Sequence, residues 1–83
     1  IGGRENTNLT VDTLAPRAAI AHYNRGNALR RLGRYADSLT SLAQALEIQP
    51  DYTDALTVSG LASQALGDKA KALQFFDEAL HIN

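Results

Sequence analysis

The chain has 83 residues, a net charge of −1 and no cysteine. It is one small domain at most, with little core of its own, and the lack of cysteine excludes a disulfide framework, a thiolate nucleophile and a cysteine-ligated zinc, while being compatible with a reducing, cytoplasmic compartment. No apolar run approaches the roughly 18 residues of a membrane span, no signal-peptide pattern opens the chain, and the near-zero charge gives no overall pull toward nucleic acid.

Residues 1–15 are polar, rich in Gly, Asn and Thr, with little helical period. They are read as an irregular segment with at most a turn of helix near Leu9–Leu14, either a cloning scar around Ile1-Gly2-Gly3 or the remnant of a preceding repeat. Pro16 suits the first turn of a helix, where its missing N–H costs nothing. Ala, Leu and Arg then predict a helix over 17–32, and Gly33 supplies its stop. A second helix is predicted over 35–48, with Leu39, Leu42, Ala43 and Leu46 as its apolar stripe, and Pro50 ends it. Asp51 is the expected N-cap of a third helix over 52–66, with Asp54 near the positive end of its dipole. Gly67 ends that helix, and Asp68 is expected to cap a fourth over 69–82, with Leu73, Phe76, Ala79 and Leu80 as its stripe.

Charge is unevenly spread along these elements. Residues 17–36 hold Arg17, Arg25, Arg30, Arg31 and Arg34 and no acid, whereas 37–68 holds five acids and no base. Complementarity between stacked helices, or a solvated face, accounts for this without a ligand.

Laying residues 16–49 on residues 50–83 makes 11 of 34 positions identical. Pro16, Ala21, Gly26, Ala28, Leu32-Gly33, Ala36, Leu39, Ala45-Leu46 and Ile48 all meet their like. A period between about 20 and 50 residues marks a stacked repeat array. Gly26 and Gly60 sit at the same phase inside helices, where each costs about 1 kcal/mol against Ala. With the small residues Ser38, Ala45, Ala72 and Ala79 on the partner helices, they predict close helix–helix approach. The short links at Gly33-Arg34 and Gly67-Asp68 make the paired helices antiparallel.

Tyr23-Asn24-Arg25-Gly26-Asn27-Ala28-Leu29, Leu32-Gly33-Arg34-Tyr35 and Ala45-Leu46-Glu47-Ile48-Gln49-Pro50 form one unit. Gly60-Leu61-Ala62, Leu66-Gly67-Asp68, Ala72-Leu73-Gln74-Phe75-Phe76 and Ala79-Leu80 form the next. The combined pattern resembles the tetratricopeptide repeat family over residues 17–83. The resemblance implies an all-α fold, an α-solenoid of stacked antiparallel helix pairs with four helices in two units, 17–50 and 51–83. The family's usual large residues give way in places. Its early aromatic is His22 and Leu56, its Leu before the glycine is Arg25 and Ser59, and its mid-helix Tyr is Leu29 and Ser63. His22 is expected to be a half-buried stand-in for the aromatic.

The resemblance implies a non-catalytic scaffold that binds a peptide in the concave groove of its first helices. Groove positions fall at Tyr23, Asn24, Asn27, Arg30 and Arg31, then at Thr57, Val58, Leu61 and Gln64. An acidic segment with an apolar side chain beyond it fits that lining, because Arg holds carboxylates bidentately and Asn bonds a peptide backbone. A chaperone-type carboxylate clamp does not fit. Its first Lys would fall at Tyr23, and in the alternative register its later pair would fall at Asp54 and Val58. Asn24 matches one rung of the groove asparagine ladder of glycosyltransferase-linked members, and Val58 breaks it.

No enzyme, metal or cofactor is expected. His22 and His81 lie apart without HxxxH or HExxH spacing, and no P-loop or strand-borne GxGxxG is present. Two repeats cannot read RNA bases in turn. Leu73, Phe75, Phe76, Leu80 and Ile82 exceed what one neighbouring helix buries, so a homodimer through the last helix, two-fold or helix-exchanged, is the second expectation. The third is an excerpt from a longer array, or the docking arm of a larger enzyme such as a glycosyltransferase.

Overall fold

The computed structural model describes residues 2–82, with side chains from Pro16 to Ile82; Ile1 and Asn83 lie outside the described residues. Four helices follow in order: α1 (Gly2–Arg31), α2 (Tyr35–Ile48), α3 (Thr53–Ala65) and α4 (Lys69–Ile82). α1 packs on α2 and α3 on α4, and α2 joins the pairs by packing on α3. The first helices also touch, α1 against α3. This is a solenoid of two helical hairpins.

Both hairpins turn by the same device. Gly33 and Gly67 take φ of 82° and 86°, a left-handed conformation that costs an L side chain and leaves glycine unpenalised. At the first turn Gly33 N–H donates to Arg30 C=O at 2.9 Å and Arg34 N–H to Leu29 C=O at 2.9 Å. At the second, Gly67 N–H donates to Gln64 C=O at 3.0 Å and Asp68 N–H to Ser63 C=O at 2.9 Å. Each pair is the double bond of a Schellman close, which satisfies two orphan carbonyls and reverses the chain within three residues.

Two boundaries depart from the sequence reading. Residues 2–15, expected to be irregular, continue α1, and Pro16 lies inside the helix instead of opening it. A proline removes only its own donor and crowds the preceding turn; no Gly or Pro interrupts residues 4–15, so the backbone on its N-terminal side stays free to wind. The N-cap of α3 is Tyr52, without a side-chain bond, and not Asp51. Asp68 does cap α4, its Oδ1 accepting from the Lys71 N–H at 3.1 Å.

The core is built from small residues. Ala19, Ala45, Ala55, Ala62, Ala72 and Ala79 are buried, and among the described residues only Leu42 and Leu56 are large and fully enclosed. The buried side of α2 is Ser38, Ser41, Leu42 and Ala45. It is rotated from the expected Leu39–Leu46 stripe; Ala43 is exposed, and Leu39 and Leu46 are half-buried. The reason is close approach to α1. A Cβ on Gly26 would stand 2.7 Å from Leu42 Cγ and 3.2 Å from the Ser38 carbonyl oxygen, so only a glycine lets this Leu sit over the helix axis. Gly60 does the same for the Phe76 ring.

Four serines are buried in this core, and they differ in kind. Ser38 Oγ donates to the Gly26 carbonyl at 2.7 Å, tying α2 to α1. Ser41 Oγ accepts from Arg25 Nη1 at 2.6 Å. Ser63 Oγ is buried with no partner, at the phase where the first repeat has Leu29. A buried unpaired hydroxyl costs about 1–3 kcal/mol, and Ala is also the better helix former. Ser63→Ala is therefore expected to stabilise the fold by about 1 kcal/mol, whereas Ser38→Ala loses a buried bond and costs about as much. Urea denaturation followed by helical circular dichroism measures both; a loss of stability in Ser63→Ala would mean that the hydroxyl is satisfied.

Candidate peptide-binding face

On α1, Arg17, Ile20, Asn24, Asn27 and Arg31 recur at i, i+3, i+7, i+10 and i+14. At 3.6 residues per turn they form one continuous stripe. All are exposed except Asn27, which is half-buried. The sequence reading found Asn24, Asn27 and Arg31 and missed Arg17 and Ile20; stepping back from Asn24 at the same spacing finds them. On α3, Thr57, Leu61 and Gln64 are exposed.

The arginines divide by what holds them. Arg34 pairs with Asp37 at 2.6 Å, the one ion pair among the described residues. Arg25 is bound to Ser41. Arg30 donates from Nη2 to Asn27 Oδ1 at 3.0 Å, and its Nε is buried without a partner. Arg17 and Arg31 are exposed and make no ion pair or hydrogen bond among the described residues. Among the described residues of α1, Arg17 and Arg31 thus stand at the two ends of the stripe, with asparagines between.

Three candidates are engaged within the fold itself. Val58 is 6% exposed and packs in a cluster with Leu42, Ala45 and Ala55. The phase that is open on α1, at Asn24, is on α3 covered by α2. Tyr23 is half-buried against that cluster and against Tyr52, with ring centroids 5.1 Å apart and planes at 36°. Its ring braces α1 on the chain entering α3. Burial lifts the Tyr52 phenol above its ordinary range, and Tyr23 and Asp54 nearby add to the rise. Thr57 spends its hydroxyl proton on the Thr53 carbonyl, at 3.0 Å.

Gln64 lies elsewhere again. It shares a shallow depression of about 190 Å³ with Lys69, Ala72, Leu73 and Phe76, on the α4 side of α3. Across the first helices Asn24 and Arg31 on α1 and Leu61 on α3 are exposed and Asn27 is half-buried, with Arg30 bonded to Asn27. Leu61 occupies on α3 the phase of Asn27 on α1, so the stripe passes from polar and basic to apolar between the repeats.

The last helix also corrects one expectation. Leu73 and Leu80 are 60% and 73% exposed, and Ile82 is exposed as well. Phe75 and Phe76 are half-buried, and Phe76 is wedged against Gly60. Phe76 is thus a packing residue of its own hairpin. His22 is half-buried, as a stand-in for an aromatic should be.

Comparison with known proteins agrees with this geometry. The tetratricopeptide repeat model matches residues 17–83. The chain is 31% identical over 70 residues to an Hsp70-Hsp90 organizing protein of Triticum aestivum, an alignment covering 84% of this chain and 12% of that protein. The chain therefore spans about an eighth of the length of that relative. Two glycine-closed hairpins at a 34-residue period, with a buried glycine in each first helix, and a family match over all of both units lead to one conclusion: the chain belongs to the tetratricopeptide repeat family of helical protein-interaction scaffolds.

Proposed function

We propose that this chain is a non-catalytic module that binds an acidic peptide segment across α1 and α3, with Asn24, Asn27 and Arg31 carrying the polar contacts and Leu61 an apolar one. The observation that carries this reading is the exposed stripe on α1, whose arginine at Arg31 has no carboxylate partner among the described residues. A guanidinium in that state suits a ligand carboxylate, which it can grip through two parallel N–H···O bonds. Asparagine amides on the same stripe can donate to and accept from an extended backbone. That one relative is named for organising two chaperones supports a protein partner as the class of ligand.

Exposed charge pairs are worth only about 0–1 kcal/mol each, so the expected affinity is modest and falls with salt. The test is fluorescence anisotropy with a labelled eight-residue peptide of Asp and Glu ending in Leu-Val. Arg31→Glu combined with Asn27→Ala removes an exposed charge pair worth about 0–1 kcal/mol and an amide hydrogen bond worth about 0.5–1.5 kcal/mol, and adds a like charge; the affinity should fall about tenfold. An unchanged affinity, or equal binding of a Lys-rich peptide, would refute the assignment.

A further inference from the structure

Asn27 and Arg30 stand three apart on α1 and are bonded to each other, Arg30 Nη2 donating to Asn27 Oδ1 at 3.0 Å. Chemistry forces the direction of this bond. A guanidinium carries five N–H donors and no acceptor, so an amide beside it must turn its oxygen toward it and its nitrogen away. Asn27 thereby loses the freedom of an exposed asparagine such as Asn24 to present either atom. Asn27 Nδ2 and Arg30 Nη1 make no hydrogen bond among the described residues, and neither is a buried unpaired atom. Arg30 is half-buried and its Nε is enclosed without a partner. Its guanidinium is thus held at Nε by its surroundings and at Nη2 by the amide, which leaves Nη1. The phase keeps access with a neighbouring repeat in place. Asn27 is half-buried with α3 beside α1, and Leu61, its counterpart 34 residues on, is exposed with α1 beside α3.

We infer, resting on the acidic-peptide reading, that Asn27 and Arg30 form a donor-only subsite that seats one carboxylate of the bound peptide, and that Arg30 is the residue that sets its specificity. A free groove asparagine serves a carbonyl or an N–H alike, whereas Asn27 serves only an acceptor. Among the acceptors a peptide carries, a carboxylate matches best, because both N–H···O bonds then end on an anion and one of them starts from a cation. A main-chain N–H or a lysine brought to the same point meets donors alone and is rejected. The pair therefore discriminates by exclusion as well as by attraction.

The test is fluorescence anisotropy with the labelled acidic peptide and with analogues in each of which one acid is exchanged for its amide. Against the parent chain one exchange should weaken binding roughly fivefold. Against Arg30→Gln that same exchange should have no effect while the others keep theirs, and against Arg31→Gln it should stay costly. Asn27→Asp keeps a partner for Arg30 but loses the Nδ2 donors and adds a like charge, so it should weaken the acidic peptide by at least about fivefold. This second variant carries the test if circular dichroism shows that Arg30→Gln has lost helix. The side-chain amide resonance of Asn27 should also shift saturably with peptide, which a bond that merely stiffens α1 would not produce. An exchange series identical in the parent and Arg30→Gln overturns the inference, as does an Asn27→Asp chain that binds like the parent. Weakening by Asn27→Asp with no costly exchange in the parent overturns it too, by putting a main-chain carbonyl in the subsite. Those outcomes leave the peptide reading standing, whereas a parent chain that binds no acidic peptide overturns both.

Discussion

Truncation of Leu42 to alanine is expected to lower the unfolding free energy by about 3–4 kcal/mol, within the range for a buried leucine whose site cannot collapse. Leu42 is 0% exposed and lies in the cluster that joins α2 to α3. Its Cγ and Cδ2 also occupy the space over Gly26 on α1. One side chain therefore links three helices. Among the described residues Leu56 is the only other large one so enclosed, and alanines and serines cannot close around the gap. A chain of this size has a total stability of only about 5 kcal/mol, so Leu42→Ala should bring it close to unfolding at room temperature. Urea titration followed at 222 nm reads the effect; a loss below about 1.5 kcal/mol would mean that the two hairpins hold independently of this residue.

The two helical glycines should respond differently to alanine, though they occupy one phase of the repeat. Either substitution gains about 1 kcal/mol in helix propensity. At Gly26 the new methyl meets Leu42 Cγ at 2.7 Å and the Ser38 carbonyl oxygen at 3.2 Å, and neither a fully buried leucine nor a helix backbone can withdraw. Overpacking of this kind costs about 1–3 kcal/mol, and it also strains the Ser38–Gly26 bond, so Gly26→Ala should be destabilised by about 1–2 kcal/mol net and lose several degrees of Tm. At Gly60 the methyl meets the Phe76 ring, with Cδ1 at 2.7 Å. That ring is half-buried and can swing outward on α4, so Gly60→Ala should fall within about 1 kcal/mol of the parent. Gly26→Ala with Leu42→Ala should cost less than the sum of the two, since each removes the clash or fills the gap left by the other. Equal effects at the two glycines would show that helix spacing is not set by what sits over them.

Much of this architecture is legible in the residues. Gly33 and Gly67 are identical at the shift that also aligns Gly26 with Gly60, and a glycine just past a periodic apolar segment has a narrow set of uses. Helices α2, α3 and α4 consequently begin and end within a residue or so of expectation. The start of α1 was obscured because Pro16 reads as a helix opener, and local chemistry cannot tell an opener from a proline carried inside a longer helix. The rotation of the α2 stripe was hidden as well. Serine counts as polar in a hydrophobic pattern, yet Ser38 and Ser41 are wholly buried because they are small and bonded across to α1.

The exposure of the proposed face was legible in part. Asn24, Asn27 and Arg31 follow from phase alone, since a groove position is a matter of angle on α1. Val58 and Tyr23 do not, because their fate depends on which neighbour covers them. Val58 lies under α2 while Asn24, its counterpart, is open; Tyr23 meets Tyr52, 29 residues on, across the start of the next hairpin. In a repeat array equivalent positions are alike in direction and differ in coverage, and coverage is a property of the stack, not of the single unit.

Titrating the isotopically labelled chain with the acidic peptide and following backbone amide resonances shows whether ligand contacts lie across the first helices of the two hairpins. Saturable shifts confined to residues 20–31 of α1 and 57–64 of α3, fading as salt is raised, are the predicted result. Shifts centred on α2 or α4, or no saturable shift at millimolar peptide concentration, would contradict it.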